Sequence, residues 1–253
     1  LLGEDVIWSG TPETGMLSSH RIISTATHSG DGQFGKATGK KIVFRTIADC
    51  HAINNQVNDE WLIRDQGAMA RQLGIHPKDF ARNQIDHEGG VKNCQHPFTD
   101  SMDQLGPYKG KGNNNEWGEK YVDILKRIMS SDQSVITSEY DRGCHLEYPG
   151  GVSGHSYSDA DEFWMGLRSS MPSAKFSIEH QIGREDKHMS PRAAVRWNLK
   201  GKHDGRGIFG EPTGAELYVM GVSHAEFGPW GLRREYTLFD ETSLWKQIII
   251  KTG

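Results

Sequence analysis

Along residues 116–130, Trp117, Tyr121, Ile124, Leu125 and Ile128 recur at helical spacing. The stripe predicts a helix with one packed face. A second helix is expected over about 159–171, with Phe163, Trp164, Leu167 and Met171 as its apolar side. Ser158 with Asp161, or Asp159 with Glu162, gives it an N-cap signal, and Pro172 ends it. Beyond Pro172 the period changes to two. Lys175–Ile182, Arg192–Lys202, Glu216–Glu226 and Leu232–Phe239 read as strands rich in β-branched and aromatic residues. A closing helix is expected at Glu241–Ile248. Helices followed by consecutive hairpins predict an α+β fold, a curved antiparallel sheet wrapped on helices into a cone.

The second strong pattern is a repeat. His28-Ser-Gly-Asp-Gly-Gln-Phe-Gly-Lys-Ala-Thr-Gly39 returns as His203-Asp-Gly-Arg-Gly-Ile-Phe-Gly-Glu-Pro-Thr-Gly214, at a constant offset of 175 residues. The same offset pairs Arg21 with Arg196, Glu60 with Glu235, Trp61 with Tyr236, Asp65 with Asp240 and Gln72 with Gln247. Ser18–His28, Lys41–His51 and Glu60–Arg64 are therefore expected as strands, and Asp65–Leu73 as a closing helix. The organisation expected is the C-terminal part of a first unit (1–73), a connector (74–114) with one short helix at 77–85, and a complete second unit (115–253). By the offset, the missing part of the first unit would begin about sixty residues before Leu1. The two units are expected to pair as a pseudo-dimer within the chain, with a homo-oligomer left open.

Composition changes this picture little. The 253 residues are 35% hydrophobic and 25% charged, with a net charge of −4, so a basic face for nucleic acid is not expected. No apolar run approaches the ~20 residues of a membrane span. No basic-then-apolar leader opens the chain, so a cytoplasmic location is the default expectation. Cys50, Cys94 and Cys144 are odd in number and far apart, and no metal-ligand spacing occurs, so neither a disulfide framework nor a metal site is expected. Both Gly30-Asp-Gly32-Gln-Phe-Gly35 and Gly205-Arg-Gly207-Ile-Phe-Gly210 match GxGxxG. Strands rather than helices follow them, so they read as hairpin turns and no nucleotide cofactor is expected.

Arg196-Trp-x-x-x-Gly-x-His203, Gly210-x-Pro-Thr-Gly214, Arg234-Glu-Tyr-x-x-x-Asp240 and Lys246-Gln247 together resemble the C-terminal half of a SnoaL-like domain, of the nuclear transport factor 2-like fold. By pattern the resemblance covers nearly all of 116–250, and a partial second match covers 18–73. It implies a cofactor-free cyclase that closes a ring in a polyketide by intramolecular aldol condensation. One late Asp would serve as general acid and base, falling on Asp240 and, in the first copy, on Asp65.

Residue chemistry permits the same reading. Asp240 lies four positions past Tyr236, on one strand face with Leu238. If that face lines the cone, desolvation would raise the carboxyl toward a useful acid/base range. Alternatively Asp240 only caps the following helix. His224, in phase with Met220 and Val222, would polarise a carbonyl or orient the Asp, or be a satisfied core His. The corresponding slots of the first copy hold Arg45, Ile47 and Asp49, so two cavities with different linings are expected. The expected substrate-binding set is Arg196, Tyr236, Trp197, Trp164, Arg45 and Asp49. For Arg196 an ordinary ion pair, and for the tryptophans and Tyr148 a core role, remain open. His28 and His203 are expected to stabilise their turns. The readings are a cyclase or isomerase acting on a carbonyl-containing small molecule, a non-catalytic binding or assembly module, and a dehydratase or hydrolase of the same fold.

Overall fold

A computed structural model describes residues 1–253 other than Leu105 and Gln133. The first repeat is a four-stranded antiparallel meander, β1 (Leu2–Thr11), β2 (Gly15–Thr27), β3 (Lys41–Ile53) and β4 (Gln56–Arg64), closed by α1 (Gln66–Leu73). The connector holds α2 (Pro77–His87) and a single 3-10 turn at Asp100–Met102. The second repeat opens with α3 (Glu116–Met129), α4 (Val135–Glu139), β5 (Tyr140–Tyr148), β6 (Val152–Gly154) and α5 (Tyr157–Ser170). It continues as β7 (Lys175–Arg184), β8 (Arg192–Lys202), β9 (Glu216–Gly228) and β10 (Gly231–Phe239), and ends in α6 (Glu241–Thr252). Its sheet runs β6-β5-β10-β9-β8-β7.

The repeat extends to the hydrogen-bond register. Arg21 faces Ile47 and Arg196 faces Val222, while Asp49 faces Trp61 and His224 faces Tyr236. Even the bulges coincide, at Gly3/Asp5 and Ile178/His180 and again where β3 meets β4 and β9 meets β10. β1 is thus the counterpart of β7. It was missed in the sequence because Gly3, Ser9 and Gly10 and its charged residues break the alternation. Both GxGxxG segments join strand to strand, each closed by a bridge (Gly32 to Gly35, Gly207 to Gly210) with positive φ at Gly35 and Gly210.

Three expectations need correction. β5 was not foreseen, and it pairs parallel to β10, so the second sheet is not wholly antiparallel. α5 starts earlier than expected: its cap is Ser156, whose Oγ accepts from the Asp159 N–H, while Asp159 accepts from Ser156 Oγ. The cap lies two residues upstream of the serine singled out, and Asp159 answers it from the third helical position. Third, the cone face was misassigned. Glu235, Thr237 and Phe239 point into the helix-lined interior, whereas Tyr236 and Leu238 face the other repeat. Alternation cannot choose between faces here because both are buried, one by helices and one by the other sheet.

The sheets of the two repeats meet face to face. Ile7 and Leu17 pack with Ile182 and Ala194, and Ile47 and Ile63 with Val222 and Leu238. By the 175-residue offset, Ile7/Ile182, Ile47/Val222 and Ile63/Leu238 are equivalent pairs, so the contact is pseudo-two-fold. The core of the second repeat lies on its opposite face, under α3, α5 and α6.

Candidate functional site

The cone interior of the second repeat is filled by its own side chains. Glu235 is fully buried and accepts from Tyr121 Oη at 2.7 Å, Tyr140 Oη at 2.9 Å, Tyr148 Oη at 2.7 Å and Trp164 Nε1 at 3.1 Å. Burial pushes this carboxyl up, against the pull of the four donors. Trp164 and Trp197 have no exposed surface, and Trp197 Nε1 donates to Ser223 Oγ at 2.9 Å. Both were expected at a substrate. They are core residues instead, and their polar atoms are spent inside the core. The sequence did carry a signal for this knot, a repeated Glu in a buried strand, since a buried carboxylate needs donors.

Four other expected site residues lie between the sheets. Arg196 pairs with Asp49 at 3.3 Å and stacks 3.8 Å over the Trp61 ring. Its counterpart Arg21 stacks 3.6 Å over Tyr236. Ser19 Oγ donates to Asp49, and His224 shares a 2.7 Å hydrogen bond with Ser19 through Nε2. Arg21 faces His224 Nδ1 at 3.3 Å. One assignment of protons satisfies all of these: Arg21 donates to Nδ1, Nε2–H donates to Ser19, and Ser19 donates to Asp49. Burial first, then the Arg21 charge, holds His224 well below its ordinary value and keeps it neutral. With His224 1% and Asp49 5% exposed, neither is placed to meet a substrate, and His224 does not bond Asp240. These residues fasten the repeats together. Arg45 bridges Glu4 and Glu147 at 2.8 and 2.7 Å. Its partners are carboxylates of the chain, yet it still borders a cleft.

Two clefts flank this interface at pseudo-equivalent places. One, about 470 Å³, is bordered by Leu62 and Arg64 of β4, Tyr218 and Met220 of β9, and Asp240. The other, about 390 Å³, is bordered by Val43 and Arg45 of β3, Tyr236 and Leu238 of β10, and Asp65. Each Asp caps the helix that follows it. Asp65 Oδ1 accepts from the Ala68 N–H at 2.9 Å and the Gly150 N–H at 3.0 Å, and Oδ2 from the Gly150 and Gly151 N–H groups at 3.0 and 3.1 Å. Asp240 Oδ1 accepts from the Thr242 N–H and hydroxyl at 3.0 and 2.7 Å and the Ser243 N–H at 3.3 Å. Its Oδ2 accepts only from Gln66 Nε2, at 2.9 Å. A carboxylate oxygen has two acceptor sites; among the described residues Oδ2 of Asp240 meets one donor, while each oxygen of Asp65 meets two, the Gly150 N–H being shared between them. Burial raises both carboxyls above the ordinary Asp range, against these hydrogen bonds. Gln66, which reaches Asp240 from the other repeat, was not foreseen. A contact across such a sequence distance leaves no local pattern to read.

Other repeated residues have repeated structural tasks. Gln72 clamps the N–H and C=O of Val43, and Gln247 those of Tyr218. His28 and His203 each bond the Thr ten residues on, at 3.0 Å. Among the described residues no group of His, Cys, Asp and Glu is arranged to hold a metal ion, and no helix is long and apolar enough to cross a membrane.

No protein-family model matches the chain, and no curated protein matches it. Solved structures similar to it include SnoaL-like polyketide cyclases. AclR of Streptomyces galilaeus, provisionally assigned as a hydroxylase, is 16% identical with a TM-score of 0.45, over 53% of this chain and 95% of its own. A protein provisionally assigned as a SnoaL-like polyketide cyclase, from Jannaschia sp. CCS1, is 14% identical with a TM-score of 0.44, over 54% of this chain and 96% of its own. IdmH of Streptomyces antibioticus, provisionally assigned as a polyketide cyclase, is 12% identical with a TM-score of 0.44, over 53% of this chain and 99% of its own. At such identities residue roles rest on this chain's own geometry.

Proposed function

We propose that the chain is a cyclase- or isomerase-type enzyme that moves a proton next to the carbonyl of a polyketide-like small molecule, with Asp240 as the acid/base in the larger cleft. One observation carries the reading. Among the described residues Asp240 Oδ2 has a single donor, Gln66, and the residue borders a cleft of about 470 Å³. Burial raising the carboxyl moves it in the direction a general base needs. The rest of its hydrogen bonds hold the carboxylate at a fixed angle to the cleft. The assembly half of the non-catalytic reading is favoured by a different observation: the cone of the second repeat is filled around Glu235, which leaves no room there for a ligand.

Exchange of the α-protons of an aryl methyl ketone in D₂O, followed by ¹H NMR, separates the two without the native substrate. Acceleration by the protein should fall by roughly 10²–10⁴-fold in Asp240→Asn. It should stay near the parent value in Asp65→Asn, because each oxygen of the Asp65 carboxylate already meets two donors. In Asp240→Asn the amide oxygen still caps the helix, so its circular dichroism should be unchanged. Because the Asp240 carboxyl is raised, exchange should increase with pH through a midpoint above the ordinary ~3.9 of Asp. Equal rates in parent and Asp240→Asn would leave the non-catalytic reading.

A further inference from the structure

The two repeats share strand register but not cover. In the second repeat the interior face of β8–β10 is sealed by α3, β5 and α5, and Val195, Trp197, Ala225, Glu235 and Thr237 are all 2% exposed or less. The equivalent positions in the first repeat are His20, Ile22, Cys50, Glu60 and Leu62. Among these Glu60 is exposed, Leu62 is 42% exposed, and His20, Ile22 and Cys50 are half-buried. α1 covers only the far end of this face, packing near Ile42 and Phe44. Among the described residues Glu60 receives nothing stronger than the Cys50 thiol at 3.7 Å.

We propose that this open face of the first sheet is a docking surface for a polypeptide segment patterned like residues 115–170, amphipathic helices flanking a strand that pairs with β4 as β5 pairs with β10, and carrying hydroxyl and indole donors for Glu60. The second repeat shows what seats on such a face. The register and both bulges are the same, so the backbone offers the same groove. The carboxylate at its centre is the same residue type, and there it gathers three phenols and one indole. A second copy of the chain fits poorly as occupant. Its own Tyr121, Tyr140, Tyr148 and Trp164 are at most 3% exposed and already engaged. Leu62 and Ile22 on the face would supply apolar contact, and the donors would supply register.

Cys50 reports occupancy, because the two other thiols, Cys94 and Cys144, are buried. The probe is a polypeptide of residues 115–174, added to the whole chain at up to about 100 µM. A graft of residues 115–175 joined ahead of Leu1 presents the same segment at an effective concentration near ~1 mM. In the graft, maleimide labelling of Cys50 should slow by about tenfold or more. Because Glu60 also holds the Cys50 thiol, Glu60→Ala in the graft should label as fast as Glu60→Ala in the ungrafted chain, and Tyr→Phe changes at the grafted copies of Tyr121, Tyr140 and Tyr148 should restore the parent rate. Protection by the free probe would place the site within reach of a partner in trans. Cys50 reacting in the graft as it does in the parent overturns the proposal. So does protection of the chain alone at high concentration with doubled mass in sedimentation, which would make a second copy the occupant.

Discussion

Glu60 and Glu235 are one residue type at one register position, with opposite surroundings. In Glu235→Gln the amide N–H₂ would face donors, because Tyr148 Oη and Trp164 Nε1 both donate to Oε2 while Tyr121 and Tyr140 serve Oε1. The lost charge-assisted bonds and the unpaired donors should cost about 2–4 kcal/mol. Glu60→Gln, on an open face, should stay within about 0.5 kcal/mol; urea unfolding of both variants measures the contrast. His180 sets a second test. It shares a 3.0 Å hydrogen bond with Tyr108 Oη, and burial pushes it down to about 4, with Arg196 and His51 adding to the shift and Asp49 opposing it. A depressed His is neutral in the fold, whereas the unfolded chain takes up its proton near 6.5. Its share of stability is full above about pH 6.5 and is lost as pH falls toward about 4, a loss of about 3 kcal/mol. His224, also depressed, adds to this slope, while the raised carboxyls of Asp65, Asp240 and Glu235 oppose it by favouring the protonated fold. His180→Gln should therefore flatten the acid side of the stability curve measured between pH 4 and 7. An unchanged slope would mean that His180 titrates normally.

Within the strand elements, Gly221 shows how the second repeat diverged from the first. Its equivalent is Thr46, and the residue across from it is Trp197 where the first repeat has Ile22. A Cβ at Gly221 would meet the Trp197 ring, so Gly221→Thr should displace the indole from Ser223 and cost about 2–3 kcal/mol. Combining it with Trp197→Ile restores the first repeat's pair. The double variant should then lose about 1–2 kcal/mol less than the sum of the singles in denaturant titrations. Periodicity and the repeat made most elements legible, including α2, α3, α6 and the seven strands β2–β4 and β7–β10. β1, β5 and β6 were not legible: the glycines and charges of β1 blur its pattern, β5 has Asp141, Arg142 and Gly143 near its start, and β6 is three residues long. For the site, Asp65 and Asp240 were recognisable from the repeat, and their capping follows from their place before a helix. What could not be read is what faces the strands. Arg196, Asp49, His224 and Tyr236 look like cavity residues along one strand, and only the second sheet makes them an interface.

At the scale of the whole molecule, that interface decides whether the two repeats are independent. The first repeat has four strands and one closing helix, and its buried Ile47 and Ile63 find their partners in Val222 and Leu238 of the other repeat. A four-stranded sheet with little cover of its own is marginal alone, so the repeats should unfold together. Five of the seven tryptophans lie in the second repeat, so fluorescence weights that repeat, while far-UV circular dichroism reports both. Their urea transitions should coincide. Asp49→Ala tests what couples them. It removes the acceptor of Ser19 and strands Arg196, which is 7% exposed, without its carboxylate. Leaving one buried charge unpaired costs about 3–5 kcal/mol. Because the pair spans both sheets, amide exchange should accelerate by a similar factor in β2–β3 and in β8–β9. An early urea transition confined to the first repeat, or faster exchange in β2–β3 alone, would mean that the second repeat stands without the first.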